Sequence, residues 1–298
     1  MNTALLSILT HQLLIGISPL IYKFLSPGIP SPVVVSVRWG LGAGVLLGWL
    51  IMTHAWQKLT KFQSMKQVAG LLFLGMFGAG LATLWNVIAV RHIGVVLTTL
   101  LINLELPLGV LFGVLILKEH LTKTYLQAAA IILVGFLLLL AKNGIELPPG
   151  GSFTLGIVYS LAAAVIWAGC TIVGKKLTAT LTPSVVTFWR LALGCLMNVS
   201  IIVFNGYSFM TVTQSITAVD WLYLFWLGVV TSGIGMVLYY KALTNFAVKH
   251  ISLAFTISPM VSVVLGVVTG EKPLLTQWMG IVLILAGIGY VFTKKGHV

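Results

Sequence analysis

The sequence predicts an all-α polytopic membrane protein, with ten transmembrane helices arranged as an inverted repeat of two five-helix units. Three observations predict it. Of 298 residues, 59% are hydrophobic and only 7% are charged, against roughly 25% in a soluble domain. So few charges cannot cover a water-facing surface, and the mean hydropathy of +1.09 agrees. The apolar runs are long and continuous, as in 128–141 and 280–292, whereas strands of an outer-membrane barrel alternate apolar and polar residues. Finally, one fixed offset relates residues that are rare in membrane helices, and it runs through both halves of the chain.

A span takes about 20 apolar residues, so that span plus connection needs roughly 30 and the chain has room for about ten. Read in order, the spans are 3–24, 31–53, 66–90, 93–117, 122–141, 153–174, 182–205, 217–240, 247–270 and 273–293. The first follows Met1-Asn2-Thr3-Ala4, which lacks the basic region and small-residue cleavage site of a signal peptide. It is therefore kept as a structural helix. Breakers fall between spans: Ser26-Pro27-Gly28, the Pro148-Pro149-Gly150-Gly151 stretch and Thr182-Pro183. The most polar, breaker-rich stretch, 142–152, lies near the middle of the chain. This gives a first unit over 1–147, a linker over 148–152 and a second unit over 153–298.

A net charge of +12 does not point to nucleic acid, because the basic residues lie between apolar runs and not on a hydrophilic domain. With a cytoplasmic N-terminus, the inner loops and C-terminus hold 11 lysines, from Lys58 to Lys295, and the outer loops hold Lys23, Arg91, Lys142 and Lys272. Such asymmetry places positive loops inside, with both termini cytoplasmic. Cys170 and Cys195 lie within spans, have no CxxC spacing and read as packing groups.

Adding 152 takes Lys23 to Lys175, Arg38 to Arg190, Pro107 to Pro259, Glu119 to Glu271 and Gly135 to Gly287. The chain is one five-span unit written twice. Five is odd, so the second copy enters the bilayer from the opposite side. Inverted halves that exchange two conformations suit a carrier with alternating access.

The residues that repeat resemble a known family. Leu106-Pro107-Leu108 leads to Lys118-Glu119-His120-Leu121, and Ser258-Pro259-Met260 leads to Gly270-Glu271-Lys272-Pro273. Each pair precedes a last helix with Gly135 or Gly287. This pattern resembles the EamA domain of the drug/metabolite transporter superfamily, in two copies over essentially the whole chain. The resemblance implies ten helices, cytoplasmic termini in a prokaryotic inner (plasma) membrane, and a central cavity between the halves. It also implies a cargo among amino acids, amines, nucleotide sugars and other metabolites, frequent proton coupling, and a leaning towards export.

Each repeated residue has a physical reading. Pro107 and Pro259 remove a helical hydrogen bond at mid-span and bend their helices, as static kinks or as pivots. Glu119 and Glu271 stand at connections beside basic residues, where they tie a tight turn. Arg38 and Arg190 lie about 10–12 Å along their spans, in structural roles or as gate or anion contacts. Gly40, Gly44 and Gly48 form a small-residue stripe that allows close helix packing, within the chain or in a homodimer.

Glu105 is the one acidic side chain deep within a span, and its repeat mate is the apolar Ile257. The shared fold therefore does not need it, and a lone carboxylate at that depth costs several kcal/mol unless it faces a cavity or a partner. It is the leading candidate for a substrate or proton site. Thr98, Glu105, Gly109 and Phe112 share a helical face, with Ser252, Thr256 and Pro259 as the related stripe. His11, Gln12 and Ser18 supply polar groups in the first span, Trp167 and Thr171 share a face in the sixth, and Trp85, Asn86, Tyr239 and Tyr240 lie towards span ends. The aromatic residues serve as interface anchors or as faces for a cationic ligand.

These features fit a secondary active carrier of small metabolites, amino acids or related compounds, with proton coupling, and the resemblance implies export. Amines or quaternary ammonium compounds are the alternative. No HExxH, paired-acid or phosphate-loop motif supports an enzyme, no metal or cofactor is expected, and a channel ranks below a carrier. The expected partners are a small molecule, lipid and protons. Cysteine placed at Asn2 or His297 should react with an impermeant maleimide only after permeabilisation. Labelling from outside at either end would reverse the assigned topology.

Overall fold

In lipid, every backbone N–H and C=O must be satisfied within the protein, and helices achieve this within a single segment. In a computed structural model, which describes residues 3–117, 123–140, 151–207, 216–246, 251, 255 and 257–293, the regular structure is helical throughout. The helices are α1 (Thr3–Phe24), α2 (Ser31–Met52), α3 (65–93), α4 (95–117), α5 (Lys123–Leu140), α6 (Ser152–Leu177), α7 (Pro183–Phe204), α8 (218–245), α9 (Ile257–Val268) and α10 (Leu275–Thr293). A short 3₁₀ turn, Trp56–Thr60, precedes α3. The beginning of the predicted ninth span falls largely outside the described residues.

Met65–Ile116 is 52 residues of apolar, mostly helical chain. As one rod it would reach about 78 Å, more than twice the roughly 30 Å of a hydrocarbon core. Gly94, at φ 80° and ψ 174°, divides it into α3 and α4. The other stretches long and apolar enough to cross are α1, α2, α6, α7 and α8, while α5, α9 and α10 contribute shorter apolar segments. Each unit thus has five helices, in the order that the sequence repeats.

The third helix of each unit carries a wide-turned π-helical stretch, Phe73–Leu81 in α3 and Trp226–Ile234 in α8. The fourth helix of the first unit is interrupted four residues before its proline, and in the second unit a turn residue stands at the same place. Asn103 and Leu104 form a turn ahead of Pro107, and Phe255 lies in a turn ahead of Pro259. A proline supplies no N–H to the carbonyl four residues back and its ring crowds that carbonyl, so both turns have one cause.

The most extensive helix packings join one unit to the other: α6 lies along α3 and α4, α5 against α10, α2 against α7, α1 against α9. At the α5–α10 crossing, a Cβ on Gly135 would stand 2.8 Å from Ile284 Cγ1, and one on Gly287 2.8 Å from Ile132 Cγ1. The helices approach too closely there for any side chain. The Gly40/Gly44/Gly48 stripe does not form such a seam. A Cβ on Gly44 or Gly48 would meet nothing within 4 Å, and it is Gly42 that packs closely: a Cβ there would stand 2.7 Å from the Gly228 carbonyl oxygen. The buried face of α2 is set by Val35, Arg38, Trp39, Gly42 and Leu46, which turns Gly44 outward.

Polar ties also cross the units. Asp220 closes a capping box with Thr217 at the start of α8, and its carboxylate accepts from Ser26 N (2.9 Å) and Ser26 Oγ (2.8 Å) in the α1–α2 connection. In the related place, Gln67 near the start of α3 donates to Thr180 Oγ1 in the α6–α7 connection (2.8 Å). Glu271, after α9, accepts from Val95 N and Val96 N, both at 2.9 Å, and from Lys23 Nζ at 3.0 Å. It caps the first turn of α4 and holds the end of α1. Glu119 lies outside the described residues. Gly94→Ala should destabilise the protein by about 1–3 kcal/mol, since this backbone region is nearly glycine-only; a thermal melt in detergent measures the loss.

Candidate functional site

Between the units lies a cavity of about 130 Å³. It is lined from α1 by His11, Gln12 and Ser18, from α2 by Arg38 and Trp39, and from α3 by Thr83 and Asn86. α4 supplies Thr99, Asn103 and Glu105, α6 supplies Trp167 and Thr171, and Arg190, Tyr239, Phe255 and Ser258 complete the wall. Asn103 and Phe255, the two proline-induced turns, both open onto it. They are 152 residues apart, as repeat mates.

Glu105 begins the helical part of α4 that follows the turn. Thr171 Oγ1 stands 3.2 Å from its Oε1 and 3.1 Å from the Tyr239 hydroxyl. With Tyr239 donating to Thr171 and Thr171 to Glu105, two hydroxyls form a relay ending on the carboxylate. The Tyr239 ring lies 5.2 Å from His11 and 5.9 Å from Phe255, centroid to centroid. One wall of the cavity is thus an acid surrounded by aromatic rings.

The wide turns orient further wall residues. Their carbonyls lack the regular partner four residues on, and side chains take the place: Trp167 Nε1 donates to Gly78 O (2.8 Å) and Trp39 Nε1 to Ala79 O (2.7 Å). Both indoles are fixed at the cavity by this bonding. In α8, the Ser232 hydroxyl donates to Leu227 O (2.6 Å) and accepts from Arg38 Nε (2.7 Å). Arg38 Nη1 also donates to the Tyr22 hydroxyl, and the guanidinium stands 4.5 Å over the Trp39 ring. Arg190 Nη1 donates to the Tyr240 hydroxyl at 2.9 Å. Among the described residues no carboxylate lies within salt-bridge distance of either arginine.

Of the predicted site residues, Glu105, His11, Gln12, Asn86, Trp167, Thr171 and Tyr239 meet at this cavity, joined by Arg38 and Arg190. Three do not. Trp85 stacks on Tyr159 at 5.9 Å, Tyr240 is spent on Arg190, and Thr98 is fully buried away from the cavity. Thr98 and Glu105 share a face only on a continuous helix; the turn at 103–104 breaks that phase, and Thr99 lines the cavity instead. Ser252 and Thr256 lie outside the described residues. Thr99, Asn103, Trp39 and Phe255 were not singled out from the sequence. The turn residues were findable, at four positions before each proline.

Comparison with known proteins adds the family context. The sequence profile of the EamA-like transporter family matches residues 2–141 and again 154–293, two matches offset by the same 152 residues. The uncharacterized transporter YxxF of Bacillus subtilis is 27% identical over 90% of this chain and 83% of its own length. YyaM, an uncharacterized transporter of the same organism, is 25% identical over 84% and 81%. A crystal structure superposes with a TM-score of 0.74 at 19% identity, covering 100% of this chain and 99% of that one. That likeness concerns the fold alone.

Proposed function

Since the chain belongs to the EamA-like transporter family and is an integral membrane transporter, we propose that it is a secondary active carrier that moves small metabolites by alternating access. The observation that carries this reading is Glu105. A carboxylate from within a span lines a cavity between two inverted units, held by one hydroxyl relay and otherwise open to a ligand. A site at the repeat interface, beside interrupted helices, is where inverted-repeat carriers bind cargo.

The cargo class proposed is amino acids or closely related compounds, with export as the direction and protons as the coupling ion. Glu105 is the group that takes up either a proton or the amino group of the cargo. The two turns before Pro107 and Pro259 supply pivots, one in each unit, at the height of the site. The 1–147 and 153–298 units exchange two conformations, opening the site to one side or the other.

A second reading has its own support. The Tyr239, Phe255, His11 and Trp167 rings around an acid would suit an amine or quaternary ammonium cation. Against it stand Arg38 and Arg190 in the same cavity, which repel a ligand carrying only positive charge.

Glu105→Gln keeps size and hydrogen bonding but removes the charge, so the protein should fold. In liposomes, if Glu105 carries the coupling proton, the variant should lose pH-driven accumulation and keep substrate exchange. If it contacts the amino group directly, exchange should also fall, by about 2–5 kcal/mol in binding. Full retention of binding, exchange and pH-driven uptake would remove Glu105 from the mechanism.

A further inference from the structure

The two arginines are repeat mates, yet they are not housed alike. Arg38, 4% exposed, has Nε on the Ser232 hydroxyl and Nη1 on the Tyr22 hydroxyl. Ser232 corresponds, 152 residues earlier, to Gly80, which has no side chain to accept from Arg190. Among the described residues, Arg190, 7% exposed, therefore donates to Tyr240 and finds no acceptor for its Nε. The position matching Tyr22 is Gly174, and Tyr240 occupies the space above it: a Cβ there would stand 2.9 Å from Tyr240 Cε1. The second unit thus rebuilds the tyrosine contact from α8 and leaves the serine contact empty.

Other polar groups at the same cavity are also unspent. Gln12 is 0% exposed with neither amide atom bonded, and Asn86 Oδ1 and Thr99 Oγ1 are likewise unpartnered. A guanidinium within a span with an unengaged buried donor is costly, and an unmade hydrogen bond at a buried group adds to that cost. Here the unspent donors border a cavity that also holds Glu105. Two guanidinium groups outnumber one carboxylate, so the cavity is short of negative charge, and a cargo carrying an anion supplies it.

We propose that Arg190 is the anion anchor of the central cavity, taking the carboxylate of a small zwitterion whose amino group is met by Glu105. This rests on the carrier reading above and narrows it to molecules that carry both charges. The planar fork of arginine matches a carboxylate in two-point geometry. Gln12 and Thr99 line the same cavity and supply neutral donors. The asymmetry that frees Arg190 parallels the asymmetry that provides Glu105: both charged contacts lie where the repeats differ.

Matched triads test it on the purified full chain in nanodiscs: L-leucine, 4-methylpentanoate and 3-methylbutylamine; L-phenylalanine, 3-phenylpropanoate and 2-phenylethylamine; L-alanine, propanoate and ethylamine. The amino acid of at least one triad should bind more tightly than its amine. Arg190→Gln should weaken that amino acid about 10- to 100-fold, the span of a charged hydrogen bond, and erase the preference over the amine. Arg190→Lys keeps the charge but not the fork, and it should weaken the amino acid while leaving the amine unchanged; it decides the matter if Arg190→Gln does not fold. Amines binding as tightly as their amino acids, a preference that survives both substitutions, or no binding of any compound in the triads would each overturn the anchor. The carrier reading fails separately, only if no metabolite class shows counterflow in liposomes.

Discussion

A guanidinium buried within a membrane span needs hydrogen-bond acceptors, and two such groups govern how these helices meet. Leaving a buried charge without partners costs several kcal/mol, more than most single contacts in a helix bundle supply. Arg38 on α2 meets this need by drawing in Tyr22 from α1 and Ser232 from α8. Arg190 on α7 draws Tyr240 from α8. Through these bonds the polar centre sets the relation of α1, α2, α7 and α8, and the apolar packing around it is organised to match. Tyr22 and Tyr240, among the largest fully buried side chains, belong to two different apolar clusters. Each cluster is tied to the centre by one phenol.

The wide turns in α3 and α8 serve the same economy of acceptors. A regular helix bonds its own carbonyls and offers them to nothing else. Where the turn widens, carbonyls become available, and the indoles of Trp39 and Trp167 and the amide of Asn198 bond to three successive residues, Gly78, Ala79 and Gly80. Rigid aromatic wall and wide turn thus come from one backbone departure. π-helical turns recur at functional sites for this kind of reason.

The large features of the fold were legible in the sequence because they rest on composition and on rare residues. Hydropathy locates the spans, and charged or proline residues at lipid depth are uncommon enough that a shared offset reveals the repeat. Glu105 was legible for the same reason, as was the pairing of Arg38 with Arg190. What sequence periodicity missed depends on departures from the regular helix. Thr98 was grouped with Glu105 by a phase that the 103–104 turn interrupts. Tyr240, near a span end, reads as an interface anchor or a ligand face, but Arg190 uses its hydroxyl, and Trp85 stacks on Tyr159. The wide turns carry no signature beyond a local richness in glycine, Gly75, Gly78 and Gly80 in one unit and Gly228, Gly233 and Gly235 in the other.

The interlocking of the two units also bears on how such a chain can arise. Since the main packing faces of each unit are covered by the other, one unit alone would present them bare unless a second, inverted copy covered them. In a pair of identical chains, however, every cavity residue arrives twice. A glutamate at position 105 would face a second one, two like charges in about 130 Å³, and a serine serving one arginine would serve both. Covalent fusion removes that restriction. Once joined, the halves can hold Glu105 opposite Ile257 and Ser232 opposite Gly80, so the tandem chain has a polarity across its cavity that no homodimer of its parts can have.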